Sequence, residues 1–175
     1  MEKLAKEDYG VARRCYGHTR RFIDDLCTLN NKNYIANNWK EIYPNELILN
    51  KENKDSNAAT FLDLDIRIEQ KMFVTKIYDK RDAFPFEIVS LPDLRGNIAE
   101  APAYGVFKGQ LIRYARNCTN VMDFVDRTKY TMTKLLNKDY DQGMLNRALK
   151  KCLSCHSWIS AKYDLQREEL LAKLI

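Results

Sequence analysis

The chain has 175 residues, 45% of them hydrophobic and 11% aromatic, with only six glycines and four prolines. That excludes a disordered or low-complexity polypeptide and suffices for one domain, or for a small domain with a helical appendage. Twenty-nine Lys and Arg against twenty-four Asp and Glu leave +5, a balance that tolerates an anionic partner without requiring one. In chain order, the first twenty residues are charged and weakly periodic and fit a short helix ending near Gly17. A short apolar run, Arg21-Phe22-Ile23, then meets two adjacent acids, Asp24 and Asp25, and a second run, Leu26-Cys27-Thr28-Leu29, follows. Two strand-like runs around an acidic pair predict a β-hairpin with the acids at its tip.

Asn31 or Asn33 suits the cap of a helix that aligns Ile35, Trp39 and Ile42 and stops before Pro44. Residues 46–50 alternate as a short strand. Residues 60–68 give the clearest strand signal, with Leu62, Leu64, Ile66 and Ile68 on one face and Asp63, Asp65 and Arg67 on the other. Its expected partner is 73–79, reached through a turn at Glu69-Gln70-Lys71.

From about Pro102 the period changes from two to that of helices, which sets the expected boundary between residues 1–101 and 102–175. Pro102 suits a first helical position, followed by Tyr104, Phe107, Leu111, Tyr114 and Cys118 at helical spacing. Asn120 caps a second helix with Val121, Phe124, Thr128, Met132 and Leu135 inward. A third starts near Asp141, carries Leu145, Leu149 and Cys152, and runs on towards Leu174 with a break near Trp158. The order of elements predicts an α+β chain with its helices segregated at the C-terminal end.

Five widely spread cysteines (Cys15, Cys27, Cys118, Cys152, Cys155) and the lack of an apolar leader near Met1 fit a reducing, intracellular setting, cytoplasmic or nuclear. No run of eighteen apolar residues occurs, so no membrane-spanning helix and no membrane partner are expected. Cys152-Leu153-Ser154-Cys155-His156 matches the pattern for covalent haem attachment. It falls in a lysine-bearing amphipathic stretch, so Cys152 is expected to pack inward and no haem to be carried. Zinc lacks a fourth ligand nearby. Asp63 and Asp65 on one strand face read as a solvated face with Arg67 as local compensation, and Tyr104 and Phe107 as core.

Two like charges side by side at a hairpin tip are unfavourable unless a cation lies with them. Mg2+ takes one or two carboxylates together with substrate phosphates, and a pair of such ions can stabilise both oxygens of a phosphoryl transfer. The run Phe22-Ile23-Asp24-Asp25-Leu26 resembles the aromatic-x-Asp-Asp signature of reverse transcriptases, with Phe22 where most members carry Tyr. The succession after it looks like that of retroelements lacking long terminal repeats, over roughly residues 10–155. It comprises Tyr43-Pro44, Glu46-Leu47-Ile48-Leu49, Phe61-Leu62-Asp63-Leu64, Ile77-Tyr78-Asp79-Lys80-Arg81-Asp82, Ala103-Tyr104-Gly105-Val106 and Gln110-Leu111-Ile112-Arg113-Tyr114-Ala115-Arg116.

The resemblance implies part of a polymerase palm, made of antiparallel hairpins and a helix, followed by an all-helical thumb bundle. It implies an RNA-directed DNA polymerase, a nucleotidyltransferase that binds an RNA template, a DNA primer, dNTP and Mg2+. Asp24 would be the direct metal ligand and Asp25 its partner, with Phe22 beneath the template–primer. Lys54, or Lys51 in its place, would protonate the leaving pyrophosphate. Residues 61–79 would grip the primer, and Lys108, Arg113 and Arg116 would reach phosphates. Relatives carry a further metal-binding aspartate, a Gly-bearing motif and the fingers upstream of the acidic hairpin, where this chain has twenty-three residues. No appreciable synthesis by the chain alone is therefore expected, unless a missing palm and fingers segment is supplied. The alternatives are a non-catalytic nucleic-acid-binding module or an inert retroelement remnant.

Overall fold

The structure, a computed structural model, describes residues 13, 16–29, 34–53, 55–86 and 88–175. It is α+β and divides into two compact units, Met1–Leu62 and Asp63–Ile175.

In the first unit, Tyr16 is helical and the Gly17 amide donates to the Arg13 carbonyl at 2.9 Å; a Cβ at Gly17 would collide with that same oxygen. The rest of the expected N-terminal helix lies outside the described residues. Strands β1 (Thr19–Phe22) and β2 (Asp25–Thr28) pair antiparallel, in a register that sets Phe22 opposite Asp25 and Thr19 opposite Thr28. Helix α1 (Tyr34–Ile42) buries Ile35 and ends before Pro44 as expected, because proline disfavours helical backbone in the residue ahead of it. Its proposed caps, Asn31 and Asn33, lie outside the described residues.

The strand expected at 46–50 does not form. The chain turns after Pro44, with the Leu47 amide donating to the Pro44 carbonyl at 3.1 Å, and no ladder partner among the described residues holds 47–50 extended in a sheet. Strand β3 (Ala58–Phe61) closes this unit.

The single strand expected at 60–68 is interrupted. Leu62 adopts φ 55°, and strand β4 starts only at Leu64 and runs to Glu69. The physical reason lies at Asp63. Its carbonyl accepts from the Tyr78 amide at 2.8 Å and its carboxylate from Arg113 at 2.7 Å, so tertiary partners fix this residue in a turn despite the alternating pattern around it.

Strand β5 (Met72–Ile77) pairs with β4 in the register Glu69↔Met72 to Leu64↔Ile77. The turn between them is Gln70-Lys71, at φ 49° and 64°, so both residues take the left-handed conformation that a two-residue hairpin loop of type I′ demands. A 3-10 turn, Lys80–Ala83, follows, capped by the Asp79 carboxylate on the Arg81 amide.

Five helices complete the second unit: α2 (Glu100–Asn117), α3 (Val121–Leu136), α4 (Gln142–Cys155), α5 (Trp158–Lys162) and α6 (Arg167–Leu174). Helix α2 begins two residues before Pro102, which therefore occupies its third position; the first turn has unpaired amides in any case, so proline is tolerated there. Phe107, Leu111 and Ala115 of α2, Phe124 and Leu135 of α3, Leu145 and Leu149 of α4, and Leu170 of α6 are buried together. Fully burying each large apolar side chain contributes about 1.5–3 kcal/mol. Cys152 packs inward, as its helical spacing requires, and Cys155 is exposed. The β4–β5 hairpin is stitched to the α2–α3 connection at one residue: Thr75 accepts from the Thr119 amide at 2.8 Å, donates its own amide to Thr119 Oγ1 at 2.9 Å, and sends its hydroxyl to the Asn117 carbonyl at 2.6 Å. Among the described residues no helix is long and apolar enough to cross a membrane.

Candidate functional site

The acidic tip belongs to the first unit. Because β1 ends at Phe22 and β2 begins at Asp25, only Ile23 and Asp24 make the turn. Ile23 has φ 53° and is 74% exposed. A β-branched side chain is a poor occupant of the left-handed region, since its Cβ crowds the backbone at a cost of about 1–2 kcal/mol. Among the described residues five other non-glycine residues have positive φ (Leu62, Gln70, Lys71, Asp139 and Asp164), and none is β-branched. The Arg21 Nε supports the turn by donating to the Ile23 carbonyl at 2.8 Å, and the Arg21 guanidinium lies over the Tyr43 ring of the segment after α1.

Asp24 and Asp25 are both exposed at this tip, and among the described residues neither carboxylate has a hydrogen-bond or ion-pair partner. Phe22, half exposed, stands directly across from Asp25 and therefore shares its face of the hairpin. Two unpaired carboxylates are the hard oxygen donors that Mg2+ takes from a protein when phosphates supply the rest, so the donor chemistry fits that ion. No group of three or more His, Cys, Asp or Glu side chains converges on a metal position among the described residues. Lys54 lies outside the described residues; Lys51 is an exposed residue of the irregular segment after α1.

In the second unit, the three cations singled out on α2 diverge. Lys108 and Arg113 are five residues apart, roughly 140° around a helix of 3.6 residues per turn. Lys108 is half-buried, close enough to Cys152 of α4 for its charge to act on that thiol. Arg113 is half-buried and ion-paired with Asp63 at 2.7 Å, while Arg116 is exposed with no partner among the described residues. Asp65 pairs with Arg67 at 3.2 Å, the local compensation expected from their spacing.

Sequence reasoning missed a denser cluster on the same unit. After β5 the chain runs into the 3-10 turn, and its Asp79 and Asp82 meet Arg127, Tyr130 and Lys134 on one face of α3. Arg127 is 16% exposed; it donates to Asp79 at 2.8 Å and also to Asp82, and its guanidinium lies 5.0 Å from the Tyr130 ring centre. Arg81 reaches both oxygens of Asp79 at 2.8 Å, and Tyr130 donates to Asp82 at 2.8 Å. Hydrogen bonding from Arg81, opposed by burial and aided by Arg127, lowers the Asp79 pKa to about 2. Burial pulls Asp82 upward, but bonds from Arg127 and Tyr130 outweigh it and hold this carboxyl below its usual range. The one available signal was spacing: Arg127, Tyr130 and Lys134 recur at three and four residues on the face of α3 opposed to its apolar stripe. What they would meet was not encoded nearby, because Asp79 and Asp82 lie more than forty residues earlier.

Comparison with protein-family models, with curated proteins and with solved structures gives no match to this chain.

Proposed function

We propose that the chain is a segment of a reverse transcriptase, running from the metal-binding hairpin of the palm through the primer grip to the helical thumb, and that it binds template–primer and Mg2+ for nucleotidyl transfer. The observation that carries this reading is the β1–β2 tip: two adjacent, exposed carboxylates without a partner among the described residues, on a two-residue turn that forces a β-branched residue to positive φ. Strain of about 1–3 kcal/mol at an exposed turn, braced by the single Arg21 bond to the Ile23 carbonyl, points to use of the site. Asp24 and Asp25 would hold the ion, which when bound supplies Lewis-acid stabilisation of the phosphoryl oxygens. Phe22, on the Asp25 face, would support the duplex. In support, the β4–β5 hairpin, the grip in this reading, is joined to the helical bundle through Thr75, and Arg116, exposed on α2 with no side-chain partner among the described residues, can meet a phosphate.

The test is binding of a labelled RNA–DNA hybrid across a salt series, with and without Mg2+. Affinity should fall linearly on a log–log plot with salt, and Mg2+ should strengthen it. Asp24→Asn should abolish the Mg2+-dependent gain and leave Mg2+-free binding intact. Arg116→Gln should reduce the salt slope by about one. An unchanged Mg2+ response in Asp24→Asn sinks the metal reading, and persisting hybrid binding would then identify a non-catalytic nucleic-acid module.

A further inference from the structure

The turn after β5 and helices α2 and α3 enclose a pocket of about 220 Å³ within the second unit. Four cationic side chains line it, Arg81, Arg113, Arg127 and Lys134, against one carboxylate, Asp79. Counting Asp63 and Asp82, which pair with these cations from outside the lining, one positive charge remains in excess.

The carboxylates leave donors to spare. Arg81 gives Nε and one Nη to Asp79 and keeps its other Nη; Arg113 gives Nη2 to Asp63 and Nη1 to the Gln110 Oε1 at 3.3 Å, which leaves the Gln110 amide N–H bonds to donate. Lys134 stands 3.6 Å from Asp82 and beside Tyr130, which together leave at least one of its three N–H bonds uncommitted. The Nε of Arg127 is buried with no acceptor among the described residues, at a cost of about 1–3 kcal/mol for as long as it stays unpaired. Gln110 and Ser90 add an amide and a hydroxyl to the lining. The surplus here is of donors and of positive charge, on side chains whose planes and positions are already fixed by Asp79, Asp82 and the Tyr114 and Tyr130 rings. Leu91 and the Tyr114 and Tyr130 rings are the apolar part of the lining, too little to favour an apolar ligand over an anion beside four cations. A compact oxyanion offers several acceptors and a compensating charge to these forks at little reorganisation cost.

We propose that this pocket binds a phosphate group, through Arg81, Arg113 and Lys134 with the neutral donors Ser90 and Gln110. The proposal stands apart from the acidic hairpin: it uses none of its residues and requires no divalent ion. The phosphate can come from a free phosphate or from a polynucleotide backbone, since both present the same non-bridging oxygens.

The full chain is titrated with inorganic phosphate, at ionic strength held constant with chloride, and binding is read by calorimetry and by the midpoint of thermal unfolding. Phosphate should raise the midpoint where chloride does not, and Lys134→Gln should weaken its affinity roughly tenfold or more, as expected for loss of a charge-assisted hydrogen bond. Lys150→Gln, an exposed residue of α4 outside the lining, should leave it unchanged. Arg81→Gln serves as a second variant, so that misfolding of either one does not remove the test. A midpoint that responds equally to phosphate and chloride, or a phosphate affinity untouched in Lys134→Gln, overturns the proposal. A single-stranded oligonucleotide that displaces phosphate from the wild type but binds Lys134→Gln no better than chloride would assign the group to a polynucleotide; failure to displace would assign it to a free phosphate. Both presuppose the pocket.

Discussion

Two residues do work that their type alone does not announce. Lys162, at the end of α5, sends its ammonium to the carbonyls of Ala115 at 2.7 Å, Arg116 at 3.2 Å and Cys118 at 2.8 Å, where α2 ends with unpaired acceptors and the negative end of its dipole. Tyr163 adds a hydroxyl to the Cys118 carbonyl at 3.0 Å and stacks on Phe124, and burial raises its phenol pKa. Replacing Lys162 with Met keeps the aliphatic stem and deletes only the charge and its donors, so it should cost about 1 kcal/mol, read as a lower denaturation midpoint with an unchanged denaturant slope. Ile23 is the opposite case, a residue that opposes its own backbone. Ile23→Gly removes the crowding at φ 53° and should slow hydrogen exchange of the β1–β2 amides, the gain of about 1–2 kcal/mol being partly offset by the greater freedom of glycine in the unfolded chain. Faster exchange in the glycine variant would show that the turn is not strained.

At the scale of elements, polar contacts join the hairpin region to the helices beside Ile77, which packs on the core from β5. Thr75 binds the α2–α3 connection, and Asp79 with Asp82 binds α3 through Arg127, whereas the apolar core is made mainly by the helices among themselves. Such a joint depends on pH. The Asp79 carboxyl is lowered from 3.8 to about 2 by the Arg81 hydrogen bonds, so its folded value lies below its unfolded one. Its contribution is therefore fully present above the unfolded value and disappears as pH falls through about 2. Solvent at the pocket rim screens part of it, leaving about 1 kcal/mol at neutral pH. Asp79→Asn should then be less stable than wild type by about that amount at pH 7, with a gap that holds to about pH 4 and closes below it. A gap unchanged into strong acid would mean that shape, and not charge, makes the contact. The sequence predicted the helices because their apolar period is set by the core they bury, as at Phe107, Leu111 and Leu149. It failed for 60–68, where the alternation was real but Asp63 was claimed by Tyr78 and by Arg113, fifty residues on.

Across the whole chain, local rules and long-range rules divided the molecule between them. The acidic turn, the β4–β5 loop and the inward face of α3 were legible because each depends on residues within one turn or one helix. The Asp79–Arg127 cluster was not, because its partners are 48 residues apart and no local pattern pairs them. Burial is just as uneven. Of the buried hydrophobic residues, Ile35 alone lies in the first unit among the described residues, and all the others fall between Ala103 and Leu174. Since apolar burial is the main term opposing chain entropy, a segment of residues 63–175 should fold without the first unit and unfold in one cooperative transition. The described part of residues 1–62, with the β1–β2 pair, β3 and a nine-residue helix, buries one hydrophobic side chain, so this segment should show no cooperative transition alone. Circular dichroism melts of the two segments decide it. A sigmoidal melt from 63–175 near that of the full chain confirms that the core is self-sufficient, whereas a featureless melt would mean that the first unit supplies stability that its sparse burial does not reveal.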